Sequence, residues 1–138
     1  MPLAINPNVP FDYVLDCDRA LPKEEQTLFR LKVLTPNELA EIEDGSATFD
    51  TNSQQVTIKT GTKVINILKK GLVGVINLKL ADGSDVKFTT TKIGGRFPRE
   101  EADDKFLSYL HPNWRRELAN AITEQFRLTE EEEGNSKL

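Results

Sequence analysis

Between Asp104 and Arg127 an apolar residue recurs at every fourth position: Trp114, Leu118, Ile122 and Phe126. Ala119 and Ala121 widen this stripe. Arg115, Arg116, Glu117, Asn120, Thr123, Glu124 and Arg127 fill the rest of the turn. That spacing places the apolar side chains on one face of a helix and the charges on the other. Just upstream, Ala102, Phe106, Tyr109 and Leu110 make a second, shorter stripe. His111-Pro112-Asn113 separates the two, and proline suits the first turn of the second helix. A helix pair of this kind has an apolar face that needs a cover, and the preceding residues must supply it.

Those residues read mostly as strands. Asp12–Cys17 is a short strand candidate. Residues 27–34 alternate, with Phe29, Leu31 and Val33 on one face and Leu28, Arg30 and Lys32 on the other. Alternation of β-favouring residues marks a half-buried strand, and the two segments fit a hairpin. Thr35-Pro36-Asn37-Glu38 is a capping box with proline at the first helical position. It predicts a helix over about 36–44, stopping at Gly45. Residues 47–50 and 55–59 read as paired strands, with Val56 and Ile58 facing inward. From Thr62 to Lys70 the period changes to helical, and Gly71 offers a stop. Residues 73–80 return to strand character, although the apolar run 64–80 also fits a single helix or a single strand, and Asp82-Gly83 turns the chain toward a strand at 86–88. Ile93–Pro98 reads as a flexible link into the C-terminal helices. The expected fold is α+β: antiparallel hairpins packed on a C-terminal helix pair in a single domain over 12–127. An extended N-terminal arm over 1–11, rich in proline, and an acidic mobile tail over 128–138 flank it.

The 138 residues suit one domain with one core. No apolar run is long enough to span a bilayer, and the N-terminus lacks the pattern of a secretory signal. Net charge is −4, unevenly placed. Residues 1–58 carry 10 acids and 4 bases, residues 59–99 carry 2 and 9, and residues 100–138 carry 10 and 5. The basic middle marks either a nucleic-acid surface or a layer facing acids of its own fold or of a partner. Its candidate residues are Lys59, Lys63, Lys69, Lys70 and Lys79. It holds only Phe88 and Phe97 as stacking aromatics, and a pI near 5.1 argues against nucleic acid.

Reactive constellations are missing from the pattern. One cysteine, Cys17, and one histidine, His111, cannot fill a zinc site. As a nucleophile and base they are outweighed by an ordinary thiol and a turn histidine. Gly94-Gly95-Arg96 lacks the context of a phosphate loop. The acid pairs Glu24/Glu25, Glu100/Glu101 and Asp103/Asp104 are sequence neighbours, whose side chains point apart rather than converge. Asp82 and Asp85 flank a turn glycine without an EF-hand pattern. No catalytic residue, cofactor or metal is expected, and the chain reads as non-enzymatic.

Three segments carry a resemblance. They are Phe29-Arg30-Leu31-Lys32-Val33-Leu34-Thr35-Pro36-Asn37-Glu38, Arg116-Glu117-Leu118-Ala119-Asn120-Ala121-Ile122, and Leu128-Thr129 followed by Glu130–Glu133 and Gly134-Asn135-Ser136. A strand entering a Thr-x-x-Glu helix start, with a helical and acidic C-terminus, resembles the tail assembly chaperones of long-tailed phages over about half of the chain. The resemblance implies a protein of tail morphogenesis that coats the tape-measure protein and recruits tail-tube subunits. It implies departure before the virion is complete, and a second, longer form made by ribosomal frameshifting. The expected partners are the tape-measure and tail-tube proteins or further copies of the chain, and the expected location is the host bacterial cytoplasm during assembly. That family is largely helical, whereas residues 46–92 here read as strands. A structural virion protein, as a tail, connector or decoration component, and a nucleic-acid module using residues 59–99 are the alternatives.

Overall fold

The computed structural model describes residues 9–50, 52, 54–58, 60–95 and 98–135, with side chains for 9–45, 52, 54, 55, 60–95 and 98–124. The fold is mixed α and β, a small single domain with antiparallel sheets and a C-terminal helix pair. Strand β1 (Pro10–Val14) pairs antiparallel with β2 (Leu28–Lys32), and β2 pairs antiparallel with β5 (Leu72–Ile76). Helix α1 (Pro36–Ser46), the hairpin β3 (Ala47–Asp50) and β4 (Gln55–Ile58), and helix α2 (Thr60–Gly71) lie between β2 and β5. A second hairpin, β6 (Thr90–Ile93) and β7 (Arg99–Ala102), leads into α3 (Asp104–Ser108) and α4 (Pro112–Asn135).

The alternation in β2 does what its period requires. Phe29 and Leu31 are fully buried, Arg30 is exposed, and Leu28 and Lys32 are half-buried. On the inner face lie Ile67 and Leu68 of α2 and Leu118 and Ile122 of α4, with Leu72 from β5. Phe106, Leu107 and Leu110 close the end of this core, and Phe88 meets Phe106 edge-on at 5.0 Å between ring centroids. Leu118 and Ile122 therefore sit at the centre, and Trp114 packs half-buried beside them. The side chain of Phe126 lies outside the described residues. On the sheet's opposite face, the registered pair Asp12 and Arg30 forms a cross-strand ion pair at 3.6 Å.

The capping box forms as written. Glu38 N–H donates to Thr35 Oγ1 at 3.2 Å, and Thr35 N–H donates to the Glu38 carboxylate at 3.0 Å. Gly71 does more than end α2. A Cβ built there would meet Ile122 Cδ1 at 2.6 Å, so the missing side chain allows α2 and α4 to approach closely.

Several boundaries differ from expectation. β1 starts at Pro10, inside the segment read as an arm, and gives way after Val14 to a 3₁₀ turn at Asp16–Asp18. β5 ends at Ile76 because Asn77 adopts φ of 64°, a left-handed conformation that breaks a strand. The strand expected at 86–88 is replaced by a single bridge, Lys79 with Asp85, plus Val86 N–H donating to Leu78 O at 2.8 Å. Ile93–Pro98 is not a link into the helices. It joins β6 to β7, and Gly95 with φ of 108° makes the turn. Tyr109, read in the short apolar stripe, is exposed just past the end of α3 at Ser108, while Leu110 beside it is buried. Beyond Arg127 the backbone of α4 stays helical to Asn135, as leucine and glutamate favour. Residues 1–8 and 136–138 of the expected arm and tail lie outside the described residues, as do the side chains of Val56 and Ile58.

Candidate functional site

The lysines singled out from the basic middle do not stand free. Lys63 Nζ lies 3.9 Å from the Glu43 carboxylate, and Lys69 Nζ lies 3.2 Å from Asp104. Lys70 bridges two acids, Glu41 at 3.6 Å and Glu101 at 3.5 Å. Lys79 pairs with Asp85 at 2.9 Å across the hairpin turn. Lys59 lies outside the described residues. Three of these lysines thus tie α2 to α1, to β7 and to the start of α3. The Lys70–Glu101 pair is the most enclosed, each side chain being 12% exposed. Burial would push the Glu101 carboxyl up, but the hydrogen bond from Arg99 and the charge of Lys70 outweigh it and hold it below the usual range.

The acid pairs behave as neighbours on a strand or helix start must. Glu101 turns inward to Lys70 and Arg99, while exposed Glu100 accepts from Thr90 Oγ1 at 3.3 Å. Asp103 caps α3, accepting from Phe106 N–H at 2.8 Å and from Thr89 Oγ1 at 2.7 Å. Those two bonds, the Thr89 one foremost, hold its carboxyl below the usual range. Asp104 points instead to Lys69. Asp82 accepts from Ser84 N–H and Oγ, which orders a turn and lowers its pKa. Among the described residues no three His, Cys, Asp or Glu side chains come together as a metal site.

Cys17 is exposed at the 3₁₀ turn after β1. Desolvation, followed by the charges of Asp18 and Glu117, pushes its thiol up, the reverse of what a nucleophile needs. His111 packs edge-on against Trp114, with ring centroids 4.5 Å apart. The Tyr13 hydroxyl is pushed up to about 12, by burial and then by its hydrogen bond to Glu117 at 2.7 Å. The same Glu117 oxygen accepts from Asp16 N–H at 2.9 Å, so this cluster latches β1 to α4. The Tyr13–Glu117 contact is invisible in the sequence, since the two residues are 104 positions apart.

Two clefts open on the described surface. One, of about 400 Å³, is lined by Asp18, Glu24, Glu25, Asn77, Lys79 and Trp114 among others. Asn77 there is engaged in structure: its Nδ2 donates to Glu24 O and Gln26 O, both at 3.2 Å. Another, of about 420 Å³, runs between α1, α2 and α4 past Glu43, Lys63, Asn120 and Thr123. Neither gathers a nucleophile, a base and an oxyanion donor.

Apolar surface is concentrated elsewhere. β5 lies at an edge of the three-stranded sheet: β2 pairs with it on one side, and among the described residues no strand pairs with it on the other, though β7 lies close by. Ile76 is 58% exposed and Val73 is 37% exposed on that strand, and Leu80 follows at 42%. Val73 owes its position to an irregularity in the register, where Arg30 faces Gly74 and Leu31 faces Leu72. No helix among the described residues is long and apolar enough to cross a membrane. Comparison with known protein families, with characterised proteins and with solved structures finds no match.

Proposed function

We propose that this protein is a non-enzymatic, chaperone-like component of phage tail assembly, binding tape-measure and tail-tube proteins in the host cytoplasm. The observation that carries the reading is the β5 edge, which no strand among the described residues pairs with, and the exposed Val73, Ile76 and Leu80 on and just after that strand. A sheet edge offers unpaired backbone donors and acceptors, and apolar side chains beside it add area for a partner strand or helix. The charged groups support the same reading, since those at the candidate positions hold the fold together rather than a reactant. The resemblance of residues 29–38, 116–122 and 128–136 to tail assembly chaperones names the partners.

Affinity capture from infected cells tests it. The chain should bring down the tape-measure and tail-tube proteins, and Ile76→Glu should abolish that capture while leaving the melting curve within about 1 kcal/mol of the parent. Purified virions should lack the chain. Its presence in them would favour the structural virion reading, and capture of neither partner would end the chaperone reading. Nucleic-acid binding through residues 59–99 is the weaker alternative, because Lys63, Lys69, Lys70 and Lys79 already face carboxylates of the same chain. Absence of a gel shift at low salt would remove it.

A further inference from the structure

A smaller pocket, of about 240 Å³, lies where the starts of α2 and α4 meet. Thr60, Gly61, Val64 and Ile65 line it from α2, and Pro112, Arg115 and Arg116 from α4. Its two arginines differ from the other arginines with described side chains. Among the arginines with described side chains, Arg19, Arg30 and Arg99 each sit against a carboxylate. Arg115 and Arg116 have no such partner among the described residues, and both border this one pocket. The Nε of Arg115 is buried without any acceptor. That buried Nε is closed to an outside group, but a guanidinium without a carboxylate still pairs favourably with an oxygen anion through its other nitrogens. Two helix N-termini at the same place add positive potential.

Helix α4 is charged against its own dipole. It has no acid in its first turn and no base in its last. Arg115 and Arg116 stand near its start, and the sequence puts Glu130–Glu133 in its final turns. Charges so placed disfavour the isolated helix, and each end is relieved by the opposite charge from outside. A chain cannot satisfy itself this way. The helix is continuous, so Glu130 lies about 22 Å along the axis from Arg115.

We propose that the Arg115–Arg116 pocket receives the Glu130–Glu133 segment of a second copy of this chain, joining copies head to tail through carboxylate–guanidinium pairs. The contact is heterologous, so it propagates into rings or open chains rather than closing as a twofold dimer. It does not depend on the identity of the tail proteins proposed above.

Sedimentation velocity on the full chain tests the association, with fluorescence anisotropy of a labelled peptide of residues 128–138 as the probe of the pocket. The average mass should rise with concentration at low salt and return to monomer at high salt. The peptide should bind the full chain, and the same peptide with Glu130–Glu133 changed to glutamine should bind at least tenfold more weakly. The double variant Arg115→Gln, Arg116→Gln should stay monomeric and lose the peptide by at least tenfold. The peptide comparison needs no variant protein, so a folding failure in the double variant leaves the proposal testable. As a rescue, the chain with Arg115→Glu and Arg116→Glu should associate with one carrying lysine at 130–133. A chain that is monomeric at every concentration overturns the proposal. So does association unaffected by the arginine changes, or equal binding of the two peptides.

Discussion

Replacing Gly71 by alanine is the sharpest test of how α2 and α4 pack. The new Cβ would stand 2.6 Å from Ile122 Cδ1, 3.1 Å from Cγ2 and 3.2 Å from Cγ1. Rotation about the outer bond of Ile122 moves only Cδ1, so two close contacts remain whatever that methyl does. Ile122 is buried at 1% exposure and has little room to withdraw. Overpacking of this kind costs about 1–3 kcal/mol. Removing a helical glycine returns about 0.5–1 kcal/mol, at the lower end here because Gly71 is the last residue of its helix. The net expectation is a loss of about 1–2 kcal/mol, or roughly 3–8 °C in melting temperature for a chain of this size. Ile122→Val removes the nearest methyl and costs about 0.5–1.5 kcal/mol alone. In that background the contacts at 3.1 and 3.2 Å persist but the shortest is gone, so Gly71→Ala should cost about 1 kcal/mol less than in the parent, and the double variant should be more stable than the sum of the singles by about that amount. Urea titration followed by circular dichroism reads all four corners of the cycle. An unchanged or more stable Gly71→Ala, or strictly additive effects, would refute the close approach of the two helices.

Asn77→Gly should cost about 1–2 kcal/mol by losing the hydrogen bonds to Glu24 O and Gln26 O, and Asn77→Ala about 1 kcal/mol more, because alanine also strains at φ of 64°; equal urea midpoints for the two would contradict this. Tyr13→Phe should cost about 1–2 kcal/mol at neutral pH through the lost bond to Glu117. Its alkaline limb should also be shallower. The unfolded chain releases the Tyr13 proton from its ordinary value of 10.0 upward, while the folded chain holds it to about 12. That stabilisation is therefore complete below the lower value and lost as pH rises through the upper one. Stability curves of parent and variant that run parallel above the lower value would exclude the latch. Lys70→Met should weaken the fold by about 1–2 kcal/mol, since it leaves the little-exposed Glu101 with Arg99 alone. The folded Glu101 carboxyl is held down, so its contribution is present above the ordinary carboxylate range and lost as pH falls. Lys70→Met should flatten that acid limb in a pH series of melts, and an unaltered limb would show the pair to be idle.

What could be read ahead of the structure was periodic or chemically local. The alternation in β2, the Thr35–Glu38 box and the four-residue stripe of α4 each specify a backbone state within one segment. Each appears where its pattern lies. What could not be read depends on a distant partner. Asn77 ends β5 because its side chain finds carbonyls at Glu24 and Gln26, some fifty positions away. The glycines at 94 and 95 read as freedom in a link to the C-terminal helices, yet they lie in a hairpin connection because Thr90–Ile93 finds Arg99–Ala102. Gly71 reads as a helix stop, and only the approach of Ile122 gives it a packing role.

The uneven charge is the clearest case of a signal that the sequence displays and the fold must interpret. Nine bases against two acids in residues 59–99 look like a surface awaiting phosphates. In the folded chain Lys63 and Lys70 meet Glu43 and Glu41 from the acidic first block, while Lys69 and Lys70 meet Asp104 and Glu101 from the acidic last block. The asymmetry along the chain is largely an internal matching, with α2 placed between two acidic layers. Exposed pairs of this sort contribute little each, but they oppose misplacement, since moving α2 out of register would part these opposite charges. Once those cations are accounted for, an external anion would have to look elsewhere, and Arg115 and Arg116 are the guanidinium groups that the described fold leaves without a carboxylate. A search for partners is therefore better directed at the start of α4 and the β5 edge than at the lysine-rich segment that the composition advertises.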